Sequence, residues 1–383
     1  MIRRSIAKHV MKVAGYYPVV TVLGPRQSGK TTLAKAMFPD YEYRNLEAED
    51  VLMAARDDPR GFLMHGSRRM IVDEVQRFPG LLTYIQEFAD AKGEKGMFVL
   101  TGSQQPALAA AVGESLAGRT GLCELLPFSI EELASEGVSV ENRDALIWRG
   151  FMPRVWAEGV EPAILYRDYY QTYVQRDVRR LVNVQDLDAF NVFVRLLAGR
   201  VGQMLNRESL ARDSGVSVPT VVKWLNVLEA SFLIYRLRPY HANLGTRLVK
   251  TPKIYFTEPG LAAYLVGIRD ETQVAAHPLV GSLFENMVVA EALKSRLSRG
   301  LDPDLMFFRN ATGTVEVDLI FDDGGRLHPR EVKCSSTYST KYRSGLSRFS
   351  SLVPDAAPGK IVYSGRTMGE MAVDFRQSAL WCI

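Results

Sequence analysis

Short apolar runs alternate with amphipathic segments along the first third of the chain. The apolar runs have the length of β-strands, and the segments between them repeat apolar positions at the helical period. Strands that alternate with helices are typical of a parallel α/β sheet. The pattern predicts strands at residues 19–23, 41–46, 70–73, 97–101 and 122–125, and helices at residues 30–37 and 81–91.

The middle of the chain, residues 130–200, has a helical pattern. Aromatic and apolar side chains recur there at helical spacing, as at Leu165, Tyr169 and Tyr173. A small unit of helices followed by a hairpin is predicted next, over residues 203–255. The pattern therefore separates the first sheet from the C-terminal third by a mainly helical region.

Part of this unit has the spacing of a helix-turn-helix. Ala211 is a small residue in the first helix, Gly215 is the turn glycine, and Val221 is a buried aliphatic residue in the second. The second helix carries a single cation and is largely apolar, so a packing or lid role is favoured over sequence-specific DNA reading. The predicted winged helix consists of a second helix at residues 219–230 and a wing at residues 232–237 and 253–256.

The last third of the chain returns to an α/β pattern. It predicts helices at residues 279–297 and 342–352, and strands at residues 305–309, 315–321, 327–333 and 360–363. Together the patterns predict four units, at residues 1–135, 136–200, 201–270 and 271–383.

The composition is that of an ordinary globular protein. Of 383 residues, 47% are hydrophobic and 23% are charged, and the net charge of +4 does not by itself identify a nucleic-acid binder. Three widely spaced cysteines show no metal-ligand or disulfide spacing, which fits a reducing compartment. Lys12, Gly15 and Pro18 interrupt any signal-peptide core, and no apolar run approaches the ~20 residues that cross a bilayer. We therefore expect a cytoplasmic protein without a membrane partner.

The first predicted strand and the helix after it enclose a match to G-x-x-x-x-G-K-[ST]. Glycines in this motif let backbone N–H groups close around phosphates, and the helix N-terminus adds positive potential. Lys30 can reach the β- and γ-phosphates, and the hydroxyl of Thr31 can hold Mg²⁺. The motif therefore predicts an ATPase that binds ATP with magnesium. The predicted nucleotide-binding residues are Gly24, Pro25, Arg26, Gln27, Ser28, Gly29, Lys30, Thr31 and Thr32.

The predicted strand at residues 70–73 ends in the acids Asp73 and Glu74, as in a Walker B motif. Asp73 is a candidate magnesium carboxylate, and Glu74 is placed to polarise the attacking water as a general base. An acid pair that caps the following turn is the alternative for these two residues taken alone. Beside the P-loop motif, the catalytic interpretation is favoured.

Three further residues are candidates for contacts with the γ-phosphate. Ser103 follows a strand, where a polar side chain can contact the phosphate or the water; a serine in a turn is the alternative. Arg119, just before the last strand of the sheet, is a candidate arginine finger or sensor, or else a surface arginine. Arg176 is a weaker candidate of the same kind.

A second constellation of charged residues lies in the C-terminal third. Asp318 stands on one predicted strand, and Glu331 and Lys333 stand two residues apart on the next, so they share one face. Asp318 and Glu331 could hold Mg²⁺ or Mn²⁺ while Lys333 activates a water, as in the PD-(D/E)xK nuclease fold, and Glu285 on the preceding helix supplies a fourth member. The alternative is a solvated strand face.

The order of these motifs resembles the prokaryotic AAA-type ATPases. GPRQSGKTT, IVDEVQ, LTGSQ and LAGR before LPFS carry the resemblance. YVQRDV, LRPY, KTPKIYF and GSLFEN further resemble an archaeal and bacterial family that joins such a core to a C-terminal domain of unknown function. The resemblance implies a P-loop NTPase sheet in which the sensor strand separates the Walker B strand from the P-loop strand. It also supports a restriction-endonuclease-like α/β domain at the C-terminus.

Two hypotheses for the function follow. In the first, a homo-oligomeric AAA-type ATPase acts on DNA with a metal-dependent nuclease domain. In the second, the protein is a nucleotide-gated interaction or assembly protein whose nuclease-like domain is catalytically inactive. Convergence of Glu285, Asp318, Glu331 and Lys333 within metal-ligand distance would discriminate between them.

Overall fold

A computed structural model describes most of the chain. The described residues are 2–64, 69–103, 106–140, 142–178, 186–240, 251–310 and 312–382, without the side chains of residues 106–110 and 176–178. No helix among these residues combines the length and the apolar character that a membrane crossing requires.

The N-terminal part is a parallel sheet of five strands in the order β2-β3-β4-β1-β5. The strands are β1 (Val19–Gly24), β2 (Glu42–Asn45), β3 (Met70–Asp73), β4 (Phe98–Ser103) and β5 (Thr120–Glu124). β4 lies between the Walker B strand β3 and the P-loop strand β1, and every pairing is parallel, which confirms the predicted topology. The parallel strands meet at their carboxyl ends, where ligands bind in open α/β sheets.

Helices cover both faces of this sheet and explain why its central strands are apolar throughout. They are α1 (Ala7–Tyr16), α2 (Lys30–Met37), α3 (Glu49–Asp57), α4 (Pro59–Met64), α5 (Leu81–Lys92) and α6 (Pro106–Ser115). Val72 and Leu100 point into one hydrophobic core, whereas Ile71 and Val99 point into the core on the opposite face. This two-sided burial is the usual environment of parallel strands.

The middle of the chain is helical, as predicted. Its helices are α7 (Ile130–Ser135), α8 (Arg143–Arg149), α9 (Pro153–Ala157), α10 (Pro162–Tyr169), the π-helical α11 (Tyr170–Val178), α12 (Leu187–Ala198), α13 (Arg207–Ser214), α14 (Val218–Ala230) and α15 (Pro259–Leu265). Gly215 ends α13 with a φ of 72°, and the side chain of Ser217 caps α14. The two helices of the predicted helix-turn-helix are therefore present. Trp224 of α14 is buried, so this face of α14 packs against the core.

The C-terminal part is a sheet of seven strands in the order β12-β11-β10-β9-β8-β6-β7. Its strands are β6 (Ile234–Pro239), β7 (Lys253–Phe256), β8 (Leu305–Arg309), β9 (Glu316–Asp323), β10 (Arg326–Lys333), β11 (Lys360–Tyr363) and β12 (Ala372–Asp374). The hairpin predicted as a wing, β6 with β7, is the edge of this sheet because β6 pairs in parallel with β8. The boundary predicted after residue 270 therefore divides strands of one sheet.

Three helices complete the C-terminal part: α16 (Val280–Ser298), α17 (Ser344–Leu352) and α18 (Ser378–Trp381). The side chain of Asn286 on α16 accepts the N–H of Phe256 at 2.6 Å and donates to its carbonyl at 3.0 Å, which fixes α16 against β7. A single hydrophobic core runs from Leu126 to Trp381. The helical middle and the C-terminal sheet are thus packed together around one helix, α16.

Candidate functional site

The P-loop turns sharply between β1 and α2. A Cβ atom at Gly24 would lie 2.1 Å from the carbonyl oxygen of Leu125, so only glycine fits at the end of β1. Gly29 has a φ of 92°, in the left-handed region that glycine adopts without strain. Both glycines are therefore required by the loop geometry, which is the arrangement that encloses phosphates.

Lys30 lies in the centre of this loop with 5% of its surface exposed. Its ammonium donates to the carbonyl oxygen of Gly24 at 3.1 Å and to that of Pro25 at 2.7 Å. No carboxylate of the described residues lies within ion-pair distance of it. Burial lowers the pKa of Lys30 to about 8, although Glu74 and Asp73 oppose this effect. The loop thus contains a buried cation bound only to neutral oxygens, which suits an anionic ligand.

Asp73 is buried at the end of β3 and connects three elements. Its carboxylate accepts hydrogen bonds from the hydroxyl of Thr31 at 2.8 Å and from that of Tyr43 at 2.7 Å. The hydroxyl of Thr101 on β4 also donates to it. The pair of Thr31 hydroxyl and Asp73 carboxylate supplies the hard oxygen donors that Mg²⁺ prefers, so these residues fit the ion that the P-loop implies.

Glu74 follows in a left-handed conformation, with a φ of 56°. Burial raises the pKa of its carboxyl group, while Lys30 acts in the opposite direction. The side-chain amide of Gln76 donates a hydrogen bond to this carboxylate. Glu74 therefore combines a left-handed backbone, which is uncommon outside functional sites, with a carboxylate whose charge interacts with that of Lys30.

Ser103 stands beside the P-loop, since it is opposite Gly24 in the pairing of β4 with β1. It is 1% exposed. Its hydroxyl and that of Ser28 are buried without a hydrogen-bond partner among the described residues. Two buried hydroxyls beside the same loop without a protein partner are suited to a polar ligand.

The structure does not bring Arg119 to the P-loop of its own chain. Arg119 precedes β5, whose first residue Thr120 pairs with Val19 at the far end of the sheet from Gly24. Its guanidinium forms an ion pair with Asp90, Nε to Oδ1 2.5 Å. A strand of this length spans about 16 Å, which is more than an arginine side chain reaches.

Arg176 lies on α11, and its side chain is outside the described residues. The helix itself is close to the nucleotide loop, because the guanidinium of Arg26 lies 5.7 Å from the ring centre of Tyr173. The two arginine candidates therefore differ in position: the helix that carries Arg176 lies near the P-loop of its own chain, whereas Arg119 lies far from it.

A largely apolar cavity of about 240 Å³ adjoins the P-loop at Gly29. Its apolar lining includes Ile2, Leu33, Phe128 and Pro153 beside Gly29 of the loop, and Arg4, Thr32, Ala157 and Glu158 complete it. These side chains are far apart in the sequence and form no motif, so sequence reasoning did not identify this pocket. An apolar cleft next to a phosphate loop suits a nucleobase.

The four charged residues predicted in the C-terminal third do converge. The ammonium of Lys333 lies 2.6 Å from Glu331 Oε1 and 3.6 Å from Asp318 Oδ2. The backbone N–H of Val332 donates to Asp318 at 2.9 Å. Glu285 projects from α16 into the same cluster, where Tyr255 donates to it.

A fifth residue, Lys253, lies among these acids and was not predicted to do so. Its ammonium lies 2.7 Å from Glu316, 3.0 Å from Glu285 and 3.8 Å from Asp318, and its side chain is 4% exposed. Burial alone would lower the pKa of Lys253, but the three carboxylates raise it well above its usual value. The alternation of Lys253 and Tyr255 on β7 is the sequence signal that places both on this face.

The carboxylates of the acidic cluster are paired with lysines. Among the described residues, no group of three or more His, Cys, Asp or Glu side chains is arranged to hold a metal ion. Lys253 lies between the carboxylates of Glu285, Glu316 and Asp318. Lys333 bridges Asp318 and the fourth carboxylate, Glu331. Burial and Asp318 raise the pKa of Glu331 to about 8, because both disfavour a further negative charge in the cluster.

Comparison with protein families divides the chain into three segments. An AAA domain matches residues 16–134, and two domains of unknown function, DUF8612 and DUF4143, match residues 140–272 and 280–376. Among solved structures, the Walker-type ATPase of Pyrococcus abyssi is 17% identical with a TM-score of 0.43 and covers 69% of this chain and 96% of its own. RuvB of Thermotoga maritima is 20% identical with a TM-score of 0.30, covering 60% and 87%.

Relatives of known sequence extend over most of the chain. Uncharacterized proteins of Mycobacterium tuberculosis and Mycobacterium bovis are each 30% identical over 341 residues, which covers 88% of this chain and 75% of theirs. An uncharacterized protein of Haemophilus influenzae is 22% identical over 307 residues, covering 72% and 74%. The chain therefore belongs to the same family as these mycobacterial proteins, and its residues 16–134 form an AAA-type P-loop ATPase domain.

Proposed function

We propose that this protein binds ATP with magnesium at residues 24–32 and hydrolyses it with Glu74 as the general base. The observation that carries the proposal is the buried ammonium of Lys30, bound to two carbonyls beside the linked pair Thr31 and Asp73. A buried cation of this kind is stabilised when a polyphosphate replaces the carbonyls as its partner. Magnesium held by Thr31 and Asp73 would neutralise charge on the phosphates.

Each protein group then has a defined task. The backbone N–H groups of the P-loop and Lys30 bind the phosphates, and the hydroxyl of Ser103 contacts the γ-phosphate or the attacking water. Glu74 orients that water and accepts its proton. The raised pKa of its carboxyl group makes it a stronger base than an exposed glutamate.

The apolar cavity beside Gly29 receives the nucleobase. Its lining includes Ile2, Leu33 and Phe128, and such walls bind the face of a purine by dispersion and burial. This placement leaves the triphosphate to the loop and predicts that the adenosine part contributes measurably to affinity.

The experiment that tests the proposal compares Glu74→Gln with wild type. We expect Glu74→Gln to bind ATP with unchanged affinity and to hydrolyse it about 10²-fold more slowly, because only the proton acceptor is removed. Glu49→Gln is the matched control, since its side chain is 70% exposed on α3. Equal turnover by Glu74→Gln and wild type would refute the role of Glu74.

We further propose that the C-terminal part is a nucleotide-gated interaction module and not a metal-dependent nuclease. The observation in favour is Lys253, whose ammonium lies where a cation shared by three carboxylates would have to bind. A divalent ion would have to displace a buried ammonium and leave it without a partner, at a large desolvation cost. The shared core with the helical middle supports transmission of the nucleotide state to this module.

Metal titration and DNA cleavage test this second proposal. We expect no heat of Mn²⁺ binding at the cluster in calorimetry, and no difference between wild type and Asp318→Ala in the nicking of branched or linear DNA. Metal-dependent nicking by wild type that Asp318→Ala abolishes would instead establish the nuclease hypothesis, with DNA as the substrate.

A further inference from the structure

Arg4 lies behind the P-loop and connects it to the segment that precedes α7. One terminal nitrogen, Nη1, donates to the carbonyl oxygen of Ser28 at 2.8 Å, and the other, Nη2, donates to the carbonyl oxygen of Leu126. Nε forms an ion pair with Glu132 at 3.2 Å. The guanidinium also stacks on Phe128, 4.8 Å from the ring centre. Only 8% of the Arg4 side chain is exposed, so these contacts are made in a buried environment.

The hydrogen bond to Ser28 acts on the phosphate site directly. The Ser28 carbonyl and the Gly29 N–H belong to one peptide unit, and a charged donor on the carbonyl polarises that unit. Gly29 is the N-cap of α2, where N–H groups face the ligand in a P-loop. Arg4 therefore strengthens and fixes a phosphate donor through the backbone of the loop, and its side chain also lines the cavity beside Gly29.

Glu132 continues the connection away from the loop. Its carboxylate accepts the backbone N–H of Ser5 at 2.6 Å and that of Ser129 at 3.0 Å, and so forms the cap of α7. The next N–H, of Ile130, donates to Glu291 on α16 at 2.8 Å. Buried polar groups thus lead without interruption from the P-loop to the long helix.

The far end of this connection is a buried ion pair on α16. Lys294 lies 2.7 Å from Glu291 and donates to the carbonyl oxygen of Phe128 at 2.8 Å. Both side chains are at most 5% exposed. The same helix carries Glu285 of the acidic cluster, so α16 contacts both the segment at the start of α7 and this cluster.

We propose that Arg4 is a positioning residue that holds the P-loop in its ATP-binding shape, and that residues 126–132 couple this loop to α16. The proposal rests on the proposed function in that the loop must bind ATP. It adds a residue outside the P-loop and Walker B motifs, and a physical route by which nucleotide binding reaches the C-terminal part.

The test is ATP affinity and turnover of Arg4→Met, with Arg3→Met as the matched control. Arg3 is the sequence neighbour of Arg4, but its side chain is 93% exposed. We expect Arg4→Met to raise KM and Kd for ATP about tenfold, the loss expected for one hydrogen bond to a charged group, with kcat changed less than threefold. Arg3→Met keeps both constants at the wild-type values.

Two further variants keep the test decisive if Arg4→Met does not fold. Arg4→Lys retains the charge but cannot reach Ser28, Leu126 and Glu132 together, so we expect a smaller rise in KM. Glu132→Gln retains the α7 cap but removes the charge that pairs with Arg4, so we expect KM to rise here as well. Unchanged KM in a folded Arg4→Lys and in Glu132→Gln would overturn the positioning role, whatever the fate of Arg4→Met.

Amide hydrogen exchange tests the coupling to α16. At saturating ATP, we expect wild type to change its exchange over residues 283–297 and Arg4→Met to show at most half of that change. Equal changes in both would overturn the coupling. Failure of the proposed function is distinguished at the outset, because wild type itself would then show no ATP binding.

Discussion

Two buried lysines of this chain have opposite surroundings. Lys30 in the P-loop is bound by two neutral carbonyls, and burial lowers its pKa to about 8. Lys253 in the C-terminal sheet is surrounded by three carboxylates, which raise its pKa well above the usual value. Both are at most 5% exposed.

The difference separates a binding site from a structural site. A buried cation without a counter-ion destabilises the free protein and is stabilised by an anionic ligand, so the energy is available for binding. A buried cation that is already paired with its counter-ions gains little from an anionic ligand. A ligand cation that replaced it would have to leave the buried ammonium without a partner. The two lysines should therefore respond oppositely to the same substitution.

The largest effect should come from Lys253→Met. This change leaves Glu285 and Asp318, which are largely buried, and half-buried Glu316 without their shared ammonium, so we expect the free energy of unfolding to fall by about 3–5 kcal/mol. Chemical denaturation measures it. Lys223→Met, on α14, is the control because Lys223 belongs to no ion pair among the described residues, and its stability should stay within about 0.5 kcal/mol of wild type.

Lys30→Met should have the next largest effect, on binding instead of stability. We expect ATP affinity to fall at least a hundredfold, since truncation of one partner of a buried charge pair costs about 2–5 kcal/mol. The unfolding temperature without nucleotide should fall much less than in Lys253→Met, because no carboxylate of the described residues forms an ion pair with Lys30. A large loss of stability in Lys30→Met would contradict the comparison of the two lysines.

The lowered pKa of Lys30 also predicts a pH dependence of binding. Above about pH 8 the ammonium of the free protein loses its proton, so the affinity for ATP should decrease as the pH rises from 8 to 10. The affinity of Lys30→Met should not change in this range beyond what the ligand itself contributes. Parallel decreases in the two proteins would assign the effect to another group.

A smaller effect is expected from Glu331→Gln. The pKa of Glu331 is about 8 in the folded protein and about 4.5 in the unfolded chain, so wild type loses stability as the pH rises from 4.5 to 8. Removal of this charge should raise the unfolding temperature at pH 8 by about 3 °C, equivalent to about 1 kcal/mol. At pH 4.5 the two proteins should coincide, which serves as the internal control.

The smallest effect is expected from Arg119→Ala. Arg119 lies at the opposite end of the sheet from the P-loop and is paired with Asp90. We expect turnover to change less than twofold at any protein concentration. A neighbouring subunit of a homo-oligomer is the route by which Arg119 could reach a γ-phosphate. A loss that grows as the protein associates would therefore identify it as an arginine finger.

The sequence predicted best what depends on local pattern. The strand–loop–helix around Lys30 and the apolar strand before Asp73 follow from hydrophobic period and motif, and both are present with the predicted strand order. The strand face shared by Glu331 and Lys333 follows from alternation in the same way. In these cases the information lies within about ten residues of the chain.

What the sequence did not predict depends on contacts between distant segments. The sequence predicted that Lys253 belongs to a wing. It lies instead among acids of α16 and β9, because its hairpin joins the C-terminal sheet through the pairing of β6 with β8. Arg4 reaches Ser28 and Glu132 only after the N-terminal segment has packed behind the loop. No periodicity along the chain records either contact, since the partners are separated by up to 128 residues.

The position of the β6–β7 hairpin in the C-terminal sheet also affects whether the two C-terminal segments can be exchanged separately during evolution. The segments 140–272 and 280–376 match separate families, yet Lys253 of the first neutralises Glu285, Glu316 and Asp318 of the second. A recombination event between them would deliver one gene product in which these acids lack their shared ammonium, and another in which the lysine lacks its carboxylates. Selection should therefore keep the two segments together in one polypeptide chain and disfavour their separate exchange among unrelated proteins.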